Sequence, residues 1–451
     1  MANKSRPKKV KAPYRKYVGG QGFVRTLGFN NTLVPIGDGL YVEEQVIDEN
    51  EYIDDYNSEI SKKGKNRRKN SLKSNRRNSS GNDKRHISDA DLLSNMQLLD
   101  IGGSPMKVPY EIQKLIIYYC DDTPLNFLLV CKAWYWMCLP SFYKSPTLSS
   151  RNFNMFVSTI IDNKKRKFGE YVYELDLSTI LQSGKNSHVS KLLRRCSPRL
   201  EKFTAPQTSF GYTPLVSLKS CHNLKYLDLG LVSETVKLKE LFSAISNFRE
   251  LTHLAFPRSS IDCEGFREFV WPPNLQYVKL SGGITNEFVR ETIWPRTITT
   301  LEFSYCPKVD EHAVYTVLSQ IGDNLKHLFF HYPMPSLHDN SLDYIFRYCS
   351  NLISVQLMVD YCSKWTFSEH MLTKLIYPRP LKTIYLESSG ALGLASKIHP
   401  DDFTIAIMES RLPCLKNISI SSKLGWDMQS SDVEDLVCAF EDQGGGLYLN
   451  Y

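Results

Sequence analysis

The sequence predicts an α/β protein: three short helices, then a solenoid of about ten strand–turn–helix units with parallel strands on its concave face, all preceded by a largely disordered N-terminal tail. Three observations carry this. An apolar signature recurs from residue 172 to residue 420. A dense apolar stretch, VPYEIQKLIIYYCDDTPLNFLLVCKAWYWM, stands at 108–137. The residues before it are a patchwork of oppositely charged blocks. The expected boundaries are a tail over 1–105, a helical domain over 106–150 and a repeat domain over 151–451.

The tail alternates basic NKSRPKKVKAPYRK, acidic EEQVIDENEYIDDYNSE and basic, Ser/Asn-rich SKKGKNRRKNSLKSNRRNSSGNDKR. Such blocks bury little apolar area against the entropy of ordering, so disorder is expected. Residues 17–46 are less biased and could dock on something. The net charge of +7 belongs mostly to the tail, where 19 Lys and Arg face 13 Asp and Glu. The rest is nearly neutral, so nothing about it suggests a nucleic-acid surface. The run at Lys63 reads as solvated charge, an import signal or a nucleic-acid contact. Ser71 and Ser79 follow Arg pairs and Ser104 precedes Pro105, so all three are possible phosphorylation sites. The Gly-rich fragments at Gly19 and Gly37 lack the strand–loop–helix setting of a nucleotide site. Secretory-leader and membrane-span signatures are not seen. The eleven cysteines form no Cys-x-x-Cys pair and sit in apolar sequence. They read as reduced thiols of a cytoplasmic or nuclear protein, and no clustered metal ligands accompany them.

At Val108 the pattern changes. Pro109 suits a helix N1 position, and Glu111 favours the positive end of the helix. Ile112, Leu115, Ile116 and Tyr119 recur at helical steps up to Cys120. Thr123 or Asp122 then caps, and Pro124 opens, a second helix with Leu125, Leu128 and Leu129 on its apolar face. A short third helix follows over 132–138. About forty residues lie near the limit for folding unaided.

Val108-Pro109-x-Glu111-Ile112-x-x-x-Ile116-Ile117, then Leu125, then Leu129-Val130-Cys131-Lys132-x-Trp134, resembles the F-box, with its Pro-x-Glu-Ile opening and Val-Cys-Lys-x-Trp close in register. Gln113 and Cys120 depart from that pattern, standing where apolar residues are usual. The resemblance implies that Pro109, Ile112, Ile116, Leu125, Leu129, Val130 and Trp134 lie at or behind a surface gripping a Skp adaptor, which joins a cullin. The bare alternative is a helical cap on the domain that follows.

The repeat signature is apolar-x-x-apolar-x-apolar. Its clear copies begin at Leu224, Leu251, Leu275, Ile298, Leu325, Leu352, Leu381 and Leu415, at intervals of 27, 24, 23, 27, 27, 29 and 34 residues. Weaker copies begin at Val172 and Leu200. Alternate apolar residues make a short strand with one buried face. Stretches such as EFVRETI and EHAVYTVLSQIG then supply helices. One unit cannot bury its face alone, so the units must stack. The pattern resembles leucine-rich repeats, and LEFSYCPKVDEHAV, with Cys306 and Asp310, resembles their cysteine-containing subtype. Residues 388–400 and 421–427 read as insertions, and GGGLYLNY as a covering segment.

The register also assigns the concave face: the third, fifth and seventh positions of each unit point away from the core. There Tyr226, His253, Tyr277, His327, Phe329, His331 and Tyr385 read as an aromatic, His-rich area with few charges, suited to holding a protein target. The tail or the C-terminal residues could instead cover it in cis. Catalysis is not expected, since Asp228 and Glu302 share the face but lie in different units and no nucleophile converges with them. Cofactors and metals are not expected. Together the two resemblances imply a non-catalytic substrate receptor of an SCF ubiquitin ligase. An adaptor-bound scaffold outside any ligase, or a repeat protein with a nucleic-acid-binding tail, would be the alternatives.

Overall fold

The computed structural model describes residues 32–36, 40–44, 108–120, 125–163, 167–180, 186–261 and 263–450. The tail contributes a short antiparallel pair, β1 (Thr32–Ile36) and β2 (Leu40–Glu44), with Thr32 opposite Glu44. That pair falls inside the less biased stretch of the tail. The remaining expectations for residues 1–105, including Ser71, Ser79, Ser104 and the basic run at Lys63, lie outside the described residues.

Helix α1 (Tyr110–Tyr118) belongs to a compact unit distinct from that of residues 124–451. Pro109 sits one position earlier than expected, as the extended N-cap. Within this unit the Gln113 side-chain amide donates to the Val108 carbonyl at 2.7 Å. The unexpected polar residue is thus used to hold the chain entering the helix.

In the larger unit, α2 (Phe127–Val130) is a single turn and α3 (Lys132–Lys144) follows it directly. Cys131 separates them: its extended backbone breaks the helix, and its sulfur accepts from the Trp134 N–H at 3.5 Å. Helix α3 runs six residues past the expected end because its last turns have a surface to pack on. Leu139 joins the core of the repeats, and Tyr143 stacks on Phe168 at 5.2 Å. The Tyr173 N–H donates to the Lys144 carbonyl at 2.9 Å, and the Ser145 hydroxyl to Glu174 at 3.1 Å. The first repeat strand is thereby tied to the helical segment.

The repeats form an eleven-stranded, wholly parallel sheet in strict chain order. Its strands are β3 (Glu174–Asp176), β4 (Lys202–Thr204), β5 (Tyr226–Asp228), β7 (His253–Ala255), β9 (Tyr277–Ser281), β10 (Thr300–Ser304), β11 (His327–His331), β12 (Ser354–Met358), β13 (Thr383–Glu387), β14 (Asn417–Ser421) and β15 (Gly446–Asn450). A separate two-residue parallel pair joins β6 (Val236–Lys237) to β8 (Ser260–Ile261). The apolar positions of all ten expected units are buried, from Val172, Leu175 and Leu177 to Leu415, Ile418 and Ile420.

The eleventh strand is the difference. GGGLYLN does not simply cover the tenth unit: it pairs with β14 in the same register, Ile418 beside Leu447. Gly444 stands where the other units begin with an apolar residue, and this hid the repeat. Gly445 passes so close to the Lys416 carbonyl that a Cβ there would lie 2.2 Å from the oxygen.

The helices cover one side of the sheet: α4 (Phe153–Asp162), α5 (Asn186–Cys196), α6 (Tyr212–Leu218), α7 (Leu238–Ile245), α8 (Asn286–Glu291), α9 (Glu311–Ile321), α10 (Ile345–Tyr348), α11 (Pro400–Met408) and α12 (Ser431–Asp442). Each sends its apolar side chains into the shared core. The two shortest units have little or no helix, and Trp271 and Trp294, 5.2 Å apart, fill that space with Phe242 and Phe288. Asp310 caps α9 by accepting from the Ala313 N–H at 2.8 Å, and buried Cys306 donates to the Leu280 carbonyl at 3.2 Å. The two insertions carry 3₁₀ turns and are joined, since the Trp426 indole donates to the Ile398 carbonyl at 2.9 Å.

One inter-unit link escaped the sequence reading. Asn223, Asn274 and Asn351 each precede a unit's leading Leu, and each side-chain amide donates to a carbonyl of the preceding unit, at Pro198, Arg249 and Asp323. The recurring Asn-Leu pair was the available signal.

Candidate functional site

The residues singled out from the sequence fall into two sets. The first, divided between the two units, is apolar and exposed. On α1, Ile112 and Ile116 are 46% and 52% exposed, while Ile117 is buried. In the larger unit, Leu125, Leu129 and Val130 are 71%, 83% and 59% exposed, whereas the leucines opening the repeat units are buried. Pro109 is exposed, and Trp134 is half-buried with its ring edge-on to Phe127 at 5.1 Å. Trp134 therefore braces α2 from behind. Apolar groups left in water this densely on short helices lack the burial that would stabilise them.

The second surface is the sheet face opposite the helices. Register pairing lines up Tyr226, His253, Tyr277, Thr300, His327, Ser354, Thr383 and Asn417 as one row. Asp228, Ala255, Lys279, Glu302, Phe329, Gln356, Tyr385 and Ser419 make the next. Stacked units place equivalent residues about 4.8 Å apart, so each row is continuous. The His253 ring stacks on Tyr277 with centroids 5.5 Å apart and lies tilted against Tyr226 at 5.6 Å.

Two corrections follow. His327 and Phe329 are buried, not open: their rings lie parallel at 6.4 Å, and His327 Nδ1 is 2.7 Å from the Ser354 hydroxyl. Burial pushes the His327 imidazole down to about 4, helped by Lys326, so it is neutral at pH 7. Nor is the area poor in charge. Glu302 accepts the Tyr277 hydroxyl and ion-pairs with Lys279 at 2.5 Å and His331 at 3.0 Å. Burial pushes the Glu302 carboxyl up, but the His331 and Lys279 contacts outweigh it and hold the group well below its usual value. Gln356 donates to the Phe330 carbonyl at 3.2 Å and approaches His331 Nδ1 at 3.1 Å. The sequence offered each of these charges singly, and only the stacking made them neighbours. Tyr226, His253, Tyr277, His331 and Tyr385 are half-buried, with part of each side chain reachable.

Chemically this face is a hydrogen-bonding and aromatic floor. Its tyrosines are the opposite of activated: burial and neighbouring carboxylates push the Tyr277 hydroxyl well above its usual value. His399, Asp401 and Asp432 bring potential metal-ligating atoms within 4.8 Å, but off this face. There His399 caps α11, accepting from the Asp401 N–H, while Asp402 closes a capping box. All eleven cysteines are free thiols. Among the described residues no helix is long and apolar enough to cross a membrane.

Residues 106–183 match the model of the COS11 F-box domain. The whole chain aligns with the whole of the F-box protein YDR306C from Saccharomyces cerevisiae, at 60% identity over 482 aligned positions. Protein pof5 from Schizosaccharomyces pombe is 33% identical over 348 residues, covering 76% of this chain and 98% of pof5. Among solved structures, the leucine-rich repeat-containing protein LegL7 from Legionella pneumophila covers 67% of this chain and 94% of its own length, with a TM-score of 0.36 and 15% identity. Rad7, from the crystal structure of the yeast Rad7 and Elc1 complex, covers 76% of this chain with 94% of the matched chain, a TM-score of 0.32 and 13% identity.

Proposed function

Because the chain belongs to the F-box protein family, we propose that it is a substrate-recognition subunit of an SCF-type ubiquitin ligase. The F-box binds a Skp adaptor, and through it a cullin. The repeats recruit a target protein. The observation that carries this is the exposure of Ile112, Ile116, Leu125, Leu129 and Val130 at the motif's apolar positions, in a protein that buries its repeat leucines. A partner's apolar groove would remove such side chains from water. The chain's own contribution is proximity: tethering raises the effective concentration of the target's lysines beside the conjugating enzyme. In this reading no residue of the chain is catalytic. The free thiols suit the cytoplasm or nucleus, where such a complex would work.

Affinity capture of the full chain tests this. Adaptor with cullin supports the ligase subunit. Adaptor alone supports a scaffold outside a ligase, and neither partner returns the helical segment to a mere cap. Adaptor binding that survives Pro109→Ala with Ile112→Ala would refute the F-box role.

A further inference from the structure

The first repeats carry a charge that the last repeats do not share. Residues 186–245 hold nine Lys and Arg against four Asp and Glu, whereas residues 400–442 hold three against nine. Helix α12 alone has five carboxylates and no basic residue. The basic excess is therefore local, and on the helix side it gathers at two clefts.

The first cleft lies between α4 and α5, with a volume of 440 Å³. Lys191, Arg194 and Arg195 line it with Ile161 and Asp162. The three cations stand at i, i+3 and i+4 of α5, so they share one face. All three are exposed, and none forms an ion pair among the described residues. Arg194 is held from behind: its Nε donates to the Ser217 hydroxyl on α6 at 3.1 Å. Ser217 accepts from Ser190 as well and donates to the Thr213 carbonyl at 3.1 Å. Both serines are buried. A buried hydroxyl must find partners, and this pair fixes one corner of the guanidinium while its terminal nitrogens stay available for an outside acceptor.

The second cleft, of 260 Å³, lies between α6 and α7. It combines Tyr212, Leu215 and Val216 with Lys219, Lys239 and Glu240. Tyr212 is 63% exposed and Val216 38%, so the apolar part is open to water. Lys219 is positioned by donating to the Ser243 hydroxyl at 3.0 Å. Neither lysine forms an ion pair among the described residues. One cleft is thus cationic, and the other is apolar with cations beside it.

We propose that these clefts are a second docking surface, which takes an acidic segment of a protein partner. A pair of carboxylates enters the α4–α5 cleft, and an apolar side chain next to a carboxylate enters the α6–α7 cleft. Packed helices lie about 8–10 Å apart, so the clefts are about 20 Å apart. An extended chain covers that distance in about six residues. A nucleic-acid backbone would lay phosphates over the apolar cleft as well, and a membrane surface is too flat to enter either. The surface is separate from the sheet face and from the F-box motif, so the proposal does not depend on the ligase reading.

Fluorescence anisotropy with the full chain at physiological salt tests this. The probes are fluorescein-labelled peptides carrying two glutamates, a Gly/Ser spacer and a Leu-Glu pair, made in both chain directions. A spacer of about six residues should bind at least about tenfold tighter than one of about two, or than the same peptide with glutamine for glutamate. Lys191→Glu with Arg195→Glu should remove the binding at an unchanged denaturant midpoint, because both side chains are exposed. Val216→Asp should remove it from the other cleft. Arg194→Lys keeps the charge but gives up the anchored fork, and should weaken binding about fivefold. Binding indifferent to the spacer, or unaltered by these variants, would overturn the proposal as diffuse attraction between charges. Tighter binding of a DNA duplex or of phosphatidylserine vesicles, lost in the Lys191→Glu, Arg195→Glu variant, would overturn it in favour of a phosphate-bearing surface. Concentration-dependent dimers in light scattering that vanish with Glu434→Lys and Asp435→Lys would also overturn it, since α12 of a second copy would then be the occupant.

Discussion

The ammonium of Lys279 lies 2.5 Å from the carboxylate of Glu302, its register partner on the next strand. Tyr277 reaches the same carboxylate from the strand of Lys279, and His331 reaches it from the strand beyond. Three successive repeat units are thus fastened at one acidic side chain whose exposed fraction is only 10%. Glu302→Gln should cost about 2 kcal/mol, because it leaves Lys279 and the Tyr277 hydroxyl without their acceptor charge. Adding Lys279→Met should recover part of that loss. Denaturant midpoints of the two single variants and the pair would measure the coupling, and strictly additive losses would rule it out.

Acid should weaken the repeats in two windows. His327 has a folded value near 4 against about 6.5 when unfolded, so the unfolded chain binds more protons between those values. Stability therefore rises with pH across that range, and about 1–2 kcal/mol is lost on going from pH 7 to pH 4.5. Glu302 is also held low, so its contribution is present above its unfolded value of about 4.3 and is lost as pH falls below it. Urea midpoints from pH 3.5 to 7.5 would show both, and His327→Gln should flatten the upper window alone.

Burial changes what can be learned from Phe329. From the sequence, Tyr277→Ala with Phe329→Ala would be expected to abolish target capture and leave the fold intact. Phe329 is 5% exposed, and Tyr277 holds Glu302. Phe329→Ala should therefore cost about 3 kcal/mol, visible as a lower thermal midpoint. Tyr277→Phe, which keeps the ring and drops the hydroxyl, is the cleaner probe of target binding. An unchanged midpoint for Phe329→Ala would show the ring is not packed.

Leu129 has the opposite character. Its side chain is 83% exposed, so Leu129→Asp should move stability by no more than about 0.5 kcal/mol. The same change should abolish adaptor capture, because it puts a charge into an apolar interface. Intact capture with an unchanged fold would place the adaptor elsewhere.

The repeats were legible because a strand's side-chain period is two and a stacked core accepts only apolar groups at the inward positions. Leu224, Leu227 and Leu229 announce a unit to anyone counting. The eleventh unit was illegible at its start, where Gly444, at φ +66°, stands in place of the leading apolar residue and Gly445 after it passes close to the Lys416 carbonyl. Helix α3 was placed but read too short, since its last turns are fixed by Phe168 and by the first repeat strand, which lie far from the helical pattern.

By itself the sequence determined which side chains face the core, which face away from it, and where the F-box motif lies. Those follow from local periodicity and from residue order, both carried within each unit. Tertiary structure alone decided that Lys279, Glu302 and His331 meet and that Phe329 and His327 are covered. Those depend on which residues of different units become lateral neighbours. Neighbours along a stacked sheet are set by inter-strand register, roughly 4.8 Å apart in space yet some 25 residues apart in the chain.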